Sequence, residues 1–178
     1  MMQTDYQLQA EIERRDRKKH SVSYAAPEDW REWCPTLFPD AFTAPFAGHH
    51  ISLWEWIDAL QTGVRPEAFI GIIGRGGGKS THAETGITYV VAKKKRKFGL
   101  YVSSTQLKAD QHVQSIASKL EKQSFASYYP QMSRRLLNQY GSSKGWRRDV
   151  LRCGNGFTIQ SFGLDTGMRG TKVDDYRP

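Results

Sequence analysis

Apolar residues in this chain come in short blocks separated by long polar stretches. Residues 1–25 are polar and charged. Only Leu8 and Ile12 share a helix face, a stripe too thin to dock firmly, so the segment reads as a frayed helix or a disordered arm. From Pro27 to Pro45 the sequence is aromatic and interrupted by Pro35, Pro39 and Pro45, which predicts irregular packing rather than long regular elements. A clear helical period follows from His50 to Gln61, where Leu53, Trp54, Ile57 and Leu60 fall on one face and Gly63 supplies a stop.

The run 68–74 is short, apolar and rich in isoleucine, as a buried strand requires. A second helix is predicted from about Lys79 to Ala92, ending in the basic block Lys93-Lys94-Lys95-Arg96-Lys97. Residues 98–104 read as a second buried strand, with Ser104 or Thr105 capping a helix whose stripe is Ala109, Val113, Ile116, Ala117 and Leu120. Strand, helix and strand over 68–103 have the length of a βαβ crossover and argue for a parallel sheet. Residues 124–145 are polar and aromatic, with helical character from Met132 to Tyr140. Two strand-like runs around Gly154-Asn155-Gly156 then form a hairpin, and residues 164–178 have loop composition.

Composition narrows the class. The 178 residues are 38% hydrophobic and 12% aromatic, enough for one packed domain and against wholesale disorder. No apolar run is long enough to span a membrane, and the opening residues are too polar for a signal peptide. Cys34 and Cys153 stand far apart and outside any C-x-x-C pattern, which argues against a disulfide framework or a zinc cluster. The charge is uneven: residues 1–70 hold 7 Lys+Arg against 11 Asp+Glu, whereas residues 71–178 hold 19 against 7. A positive surface of this kind attracts polyanions such as nucleic acid or nucleotide phosphate.

The strongest chemical signal is Gly74-Arg75-Gly76-Gly77-Gly78-Lys79-Ser80-Thr81, set between a strand-like run and a helix. Glycines let backbone amides turn onto phosphate oxygens, and the helix N-terminus adds the positive end of its dipole. Lys79 supplies a point charge for the β- and γ-phosphates, and the Ser80 hydroxyl a ligand for Mg²⁺. The G-x-x-x-x-G-K-[ST] pattern asks for glycine six residues before the lysine; that position is Ile73, so the loop is a variant. Arg75 either stabilises developing charge on the γ-phosphate or braces the loop through a carboxylate.

Further motifs accompany this loop: Pro45-Phe46, His50 and Leu53-Trp54-Glu55-Trp56 before it; Tyr101-Val102-Ser103-Ser104-Thr105-Gln106 with Ala109 after it; and Gly163, Arg169-Gly170 and Arg177-Pro178 near the end. As a set they resemble the N-terminal ATPase region of the large terminase subunit of tailed bacteriophages, over residues 45–178. The resemblance implies an incomplete P-loop NTPase of the RecA-like (ASCE) type: a parallel sheet flanked by helices, with 1–44 as arm and aromatic segment. It implies ATP and Mg²⁺ as cofactors, double-stranded DNA as the translocated substrate, a small terminase subunit and a portal protein as partners, and a homo-oligomeric ring working in the bacterial host cytoplasm. Arg169 would couple nucleotide state to movement.

In that family an apolar strand ending in acidic residues follows the Arg-Pro pair. Lys172-Val173-Asp174-Asp175 is not such a strand, and the nuclease domain is absent, so nucleotide binding is expected of these residues but not efficient hydrolysis. Several choices stay open. Lys93 to Lys97, like Arg147, Arg148 and Arg152, contact DNA phosphates or form a solvated basic face. His50 contacts adenine or caps its helix. Trp54 and Trp56 read as packing residues. The competing functions are another P-loop NTPase, either a small kinase or a helicase-like enzyme, and a non-enzymatic basic DNA-binding module.

Overall fold

A computed structural model describes residues 24–135 and 145–166. Its core begins where irregular structure was expected. Helix α1 (Trp30–Leu37) starts at Asp29, whose carboxylate accepts the Arg31 amide, and it carries Pro35 in its interior. The proline removes one helical hydrogen bond and costs about 3 kcal/mol. Burial of Trp30, Trp33, Cys34 and Leu37 on one side outweighs that penalty, and reading the prolines as breakers missed it.

Helix α2 (Gly48–Asp58) follows the predicted stripe but stops three residues short of Gln61. Helix α3 (Lys79–Ala92) has the predicted bounds. Strand β1 (Phe98–Ser103) leads into α4 (Gln106–Glu121), where the Thr105 hydroxyl accepts the Lys108 amide as the cap. Two single turns follow, α5 (Gln123–Ala126) and α6 (Pro130–Ser133); the helix expected from Met132 to Tyr140 is not continued at Arg134, which is extended, or at Arg135, which bridges to Cys153, and residues 136–140 lie outside the described residues. The hairpin is present as β2 (Val150–Arg152) and β3 (Thr158–Gly163), paired antiparallel through Val150–Gln160, Leu151–Ile159 and Arg152–Thr158. Its turn is set by Asn155, whose side-chain oxygen accepts the Phe157 amide.

Among the described residues the sheet has three strands in the order β1-β3-β2. Strands β1 and β3 run parallel, in register from Phe98–Thr158 to Ser103–Gly163, and α4 packs across both. The fold is therefore α/β with a mixed rather than purely parallel sheet, and no described helix is long and apolar enough to cross a membrane.

The parallel connection is real, but it lies one element further along than expected. The run 68–74 is not a strand: it is irregular, with Ile70 85% and Ile72 96% exposed. Isoleucine content favours extended backbone, yet a strand exists only where a neighbouring edge takes up its amides and carbonyls. Residues 68–74 pair with no described strand, and the outer edge of β1, at the border of the sheet, is left without them. Beside that border lies an apolar groove of about 390 Å³ floored by Leu53, Ile57, Ile87, Tyr101 and Phe157.

The core is a cluster of rings. Trp33 is fully buried, edge-on to Phe38, Tyr89 and Phe125, and its indole N–H donates to the Tyr129 hydroxyl at 3.0 Å. Trp30 stacks on Trp54, and Trp54 meets Tyr89 edge-on. These contacts tie α1, α2 and α3 into one layer. Replacing Trp33 by alanine should lower unfolding stability by about 3–5 kcal/mol. Urea denaturation checks this, and a change below about 1 kcal/mol would contradict the assignment of Trp33 to the centre of the core.

Candidate functional site: a glycine bend at the start of helix α3

Residues 74–78 make a tight bend directly before α3. The Gly77 amide donates to the Gly74 carbonyl at 3.2 Å, closing a turn. Gly76 (φ 82°) and Gly78 (φ 72°) lie in the left-handed region that only glycine enters without strain. Gly77 has a different reason to be glycine: a Cβ there would come within 2.6 Å of the Ile73 side chain. Ile73, which departs from the glycine pattern read in the sequence, is thus the residue packed behind the bend. Gly78 is the N-cap of α3, and its carbonyl accepts the His82 amide at 2.9 Å.

Several backbone donors at this bend have no acceptor. The amides of Gly78, Lys79, Ser80 and Thr81 make no backbone hydrogen bond among the described residues, as geometry demands of a helix start. Arg75, Lys79 and Ser80 are exposed and their side chains have no partner among the described residues. The first turn of α3 contains no acidic residue, so Lys79 places a cation at the positive end of the helix dipole. Without an anion that arrangement is unfavourable; with one, amides, dipole and ammonium act together. Thr81 is half-buried.

Comparison with protein-family models, with curated proteins and with solved structures found no match. The site must therefore be read from its own chemistry.

Three histidines pack beneath the bend. His50 on α2 stacks on His82 of α3 with ring centroids 3.8 Å apart, and His49 lies edge-on to His50 at 4.0 Å. His50 Nε2–H donates to the Gly77 carbonyl at 2.8 Å, while its Nδ1 accepts the Ala47 amide at 3.2 Å. Its polar edges are thus engaged with the loop and with the start of α2. His82 is buried, accepts the Trp54 indole N–H on Nδ1 at 2.9 Å, and meets Phe42 edge-on. Burial, with His50 and His49 beside it, pushes its pKa down to about 4. The sequence reading missed His82, because a single histidine inside a helix carries no signal of what it touches.

The other expected sites fall elsewhere. In the basic block, the Lys93 ammonium donates to Pro27 O and pairs with Glu28, Lys95 pairs with Asp58, and Arg96 donates to the carbonyls of Gln61 and Val64. Lys97 is exposed but also partnered, and Lys94 is exposed with φ 54°. These cations chiefly close the α3–β1 connection onto α1 and α2. Arg148 pairs with Asp110 at 3.2 Å. Trp54 is buried, and Trp56 donates to Glu67 O. Cys34 and Cys153 are buried free thiols; burial pushes Cys153 up to about 12. Arg169 lies outside the described residues. No group of three potential metal ligands occurs among the described residues.

A second polar node sits at the C-terminal ends of β1 and β3. Gln106 donates to Asp110 at 2.7 Å and to Ser161 at 2.9 Å, and its carbonyl oxygen accepts the Gly163 amide and the Thr166 hydroxyl. Asp165 accepts the Gln106 amide at 3.0 Å. The sequence reading singled out Gln106 for its place after the Ser-Thr turn but did not anticipate Asp110 or Ser161.

Helix α3 is fixed from behind by Glu84. This buried carboxylate accepts from His112 (2.7 Å), Ser115 (2.6 Å) and Lys119 (2.9 Å), all on α4. Burial alone would raise its pKa, but the three donors and the charge of Lys119 together hold it below the ordinary value. A depressed carboxyl contributes stability that is complete above its unfolded value, near 4.5, and fades as pH falls through the folded value. Glu84→Gln should therefore cost about 1–3 kcal/mol at pH 7, with the gap to wild type narrowing towards about pH 3. Urea unfolding at the two pH values checks this; an equal deficit at both would contradict it.

Proposed function

We propose that this chain binds a nucleoside triphosphate with Mg²⁺ at the bend 74–81 and forms the nucleotide-binding part of a DNA-translocating ATPase of the phage terminase type. The observation that carries the reading is the convergence, on one turn, of amides at Gly78, Lys79, Ser80 and Thr81 and of the exposed cations Arg75 and Lys79, all without partners among the described residues. Many other basic side chains are engaged, with Lys93, Lys95, Lys119, Lys122, Arg135 and Arg148 on carboxylates, so it is the coincidence of bare cations with bare helix-start amides that marks this turn.

The residues fit the group. The amides and Lys79 would hold the phosphate oxygens, and the Ser80 hydroxyl would ligate Mg²⁺. Arg75 would supply a guanidinium to the terminal phosphate, and with no carboxylate partner among the described residues the bracing role has no support there. Bound Mg·ATP would supply the phosphoryl group whose hydrolysis drives movement. The node around Gln106 would feel the nucleotide through α4 and the strand ends, the usual ligand edge of an α/β sheet. Asp165 and Thr166, anchored on Gln106, lead in sequence to Arg169, the proposed coupling residue.

Double-stranded DNA, a small terminase subunit, a portal ring and a homo-oligomeric assembly belong to this proposal through the sequence resemblance. A purely basic DNA-binding module fits less well, because the densest run of cations, Lys93 to Lys97, is largely tied down within the chain.

Equilibrium dialysis with labelled Mg·ATP tests the reading. Lys79→Ala should weaken binding roughly 100-fold, the loss expected for a charge-assisted contact to phosphate. Equal binding by variant and wild type would overturn it.

A further inference from the structure

The bend is held by more than its own glycines. The Gly77–Gly78 peptide is planar and trans, so its carbonyl and its N–H point in opposite directions. The carbonyl is drawn inward to His50 Nε2–H at 2.8 Å. The Gly78 amide is thereby turned to the side away from the histidines, and Gly78, Lys79, Ser80 and Thr81 find no acceptors among the described residues. Were the peptide to flip, the carbonyl oxygen would face that side and repel an anion.

The imidazole is suited to this task. Its Nδ1 accepts the Ala47 amide, which leaves the ring proton on Nε2, the atom aimed at Gly77. The ring is clamped by stacking on His82, and His82 is clamped in turn by the Trp54 indole N–H. A Cβ on Gly78 would approach His82 Cδ2 at 3.0 Å and His50 Nε2 at 3.6 Å, so the pair lies directly under the bend. The path Trp54–His82–His50–Gly77 runs from the aromatic core to the peptide whose orientation decides whether the bend accepts an anion.

We infer that His50 is a positioning residue for phosphate binding, fixing the Gly77–Gly78 peptide so that the Gly78 amide faces the ligand. This rests on the nucleotide-binding reading above. It also gives His50 a different role from adenine contact, since the Nε2 edge is occupied by the loop.

Two substitutions separate the two hydrogen bonds of the ring. Asparagine is short and keeps an acceptor near the position of Nδ1, so His50→Asn retains the cap on Ala47 and loses the donor to Gly77. Glutamine is long enough to return an N–H to the position of Nε2, so His50→Gln restores that donor. Labelled Mg·ADP binding to the full chain should be about tenfold weaker in His50→Asn and within about threefold of wild type in His50→Gln. Thermal unfolding of both variants, run in parallel, should show folded protein at the dialysis temperature.

Lys79→Ala is measured alongside as the control on the underlying reading. If wild type and Lys79→Ala bind Mg·ADP equally, the nucleotide reading itself fails. If Lys79→Ala loses binding while His50→Asn and His50→Gln both match wild type, the nucleotide reading stands and the positioning role of His50 is overturned. Equal weakening in both folded His50 variants also overturns it, because the donor would then not be what matters.

Discussion

Helix α3 is held on several sides. From His82 onward its buried positions include Glu84, Thr85, Gly86, Thr88, Tyr89, Val91 and Ala92, which leave only the half-buried stripe Ala83, Ile87 and Val90 facing the apolar groove. Tyr89 and Val91 enter the ring-rich core, Glu84 is held by three groups on α4, and the Ile57 side chain lies where a Cβ on Gly86 would go. A helix so constrained cannot rotate or slide without breaking contacts on several sides. Its first turn, which leaves Lys79 and Ser80 exposed, is therefore presented at a fixed place and angle.

The distribution of paired and unpaired charge follows from it. Cations used to hold the structure sit where carboxylates or carbonyls can meet them: Lys119 on Glu84, Lys95 on Asp58, Arg148 on Asp110. Lys79 and Arg75 lie at a turn where they have no acidic partner among the described residues. Beneath the turn the polar atoms of His50 and His82 are directed to the loop, to Ala47 and to Trp54. Burial and mutual proximity disfavour a charge on His82, which keeps added positive charge from accumulating below the bend.

Local pattern carried much of this organisation. The bounds of α3, the stripe of α4, strand β1 and the hairpin depend on periodicity and turn chemistry within one segment, and each appears close to its expected place. What failed was non-local. Residues 68–74 have the composition of a strand but pair with no described strand, and composition does not dictate pairing. Helix α1 was hidden by Pro35, whose local penalty is outweighed by the burial of Trp30, Trp33 and Leu37 in a core built from distant segments. At the site the glycines, Lys79 and Ser80 were legible because their chemistry is written in consecutive residues. The contact of His50 with Gly77 spans 27 residues and that of Trp54 with His82 spans 28, so neither could be read before the helices were placed together.

Backbone amide NMR during titration with Mg·ADP tests the central claim most directly. The account predicts that the first and largest changes, with downfield movement of the amide protons, occur at Gly78, Lys79, Ser80 and Thr81, while the hairpin around Arg147 to Arg152 stays near its starting shifts. Changes concentrated on that hairpin or on Lys93 to Lys97, with the bend unmoved at saturation, would contradict it.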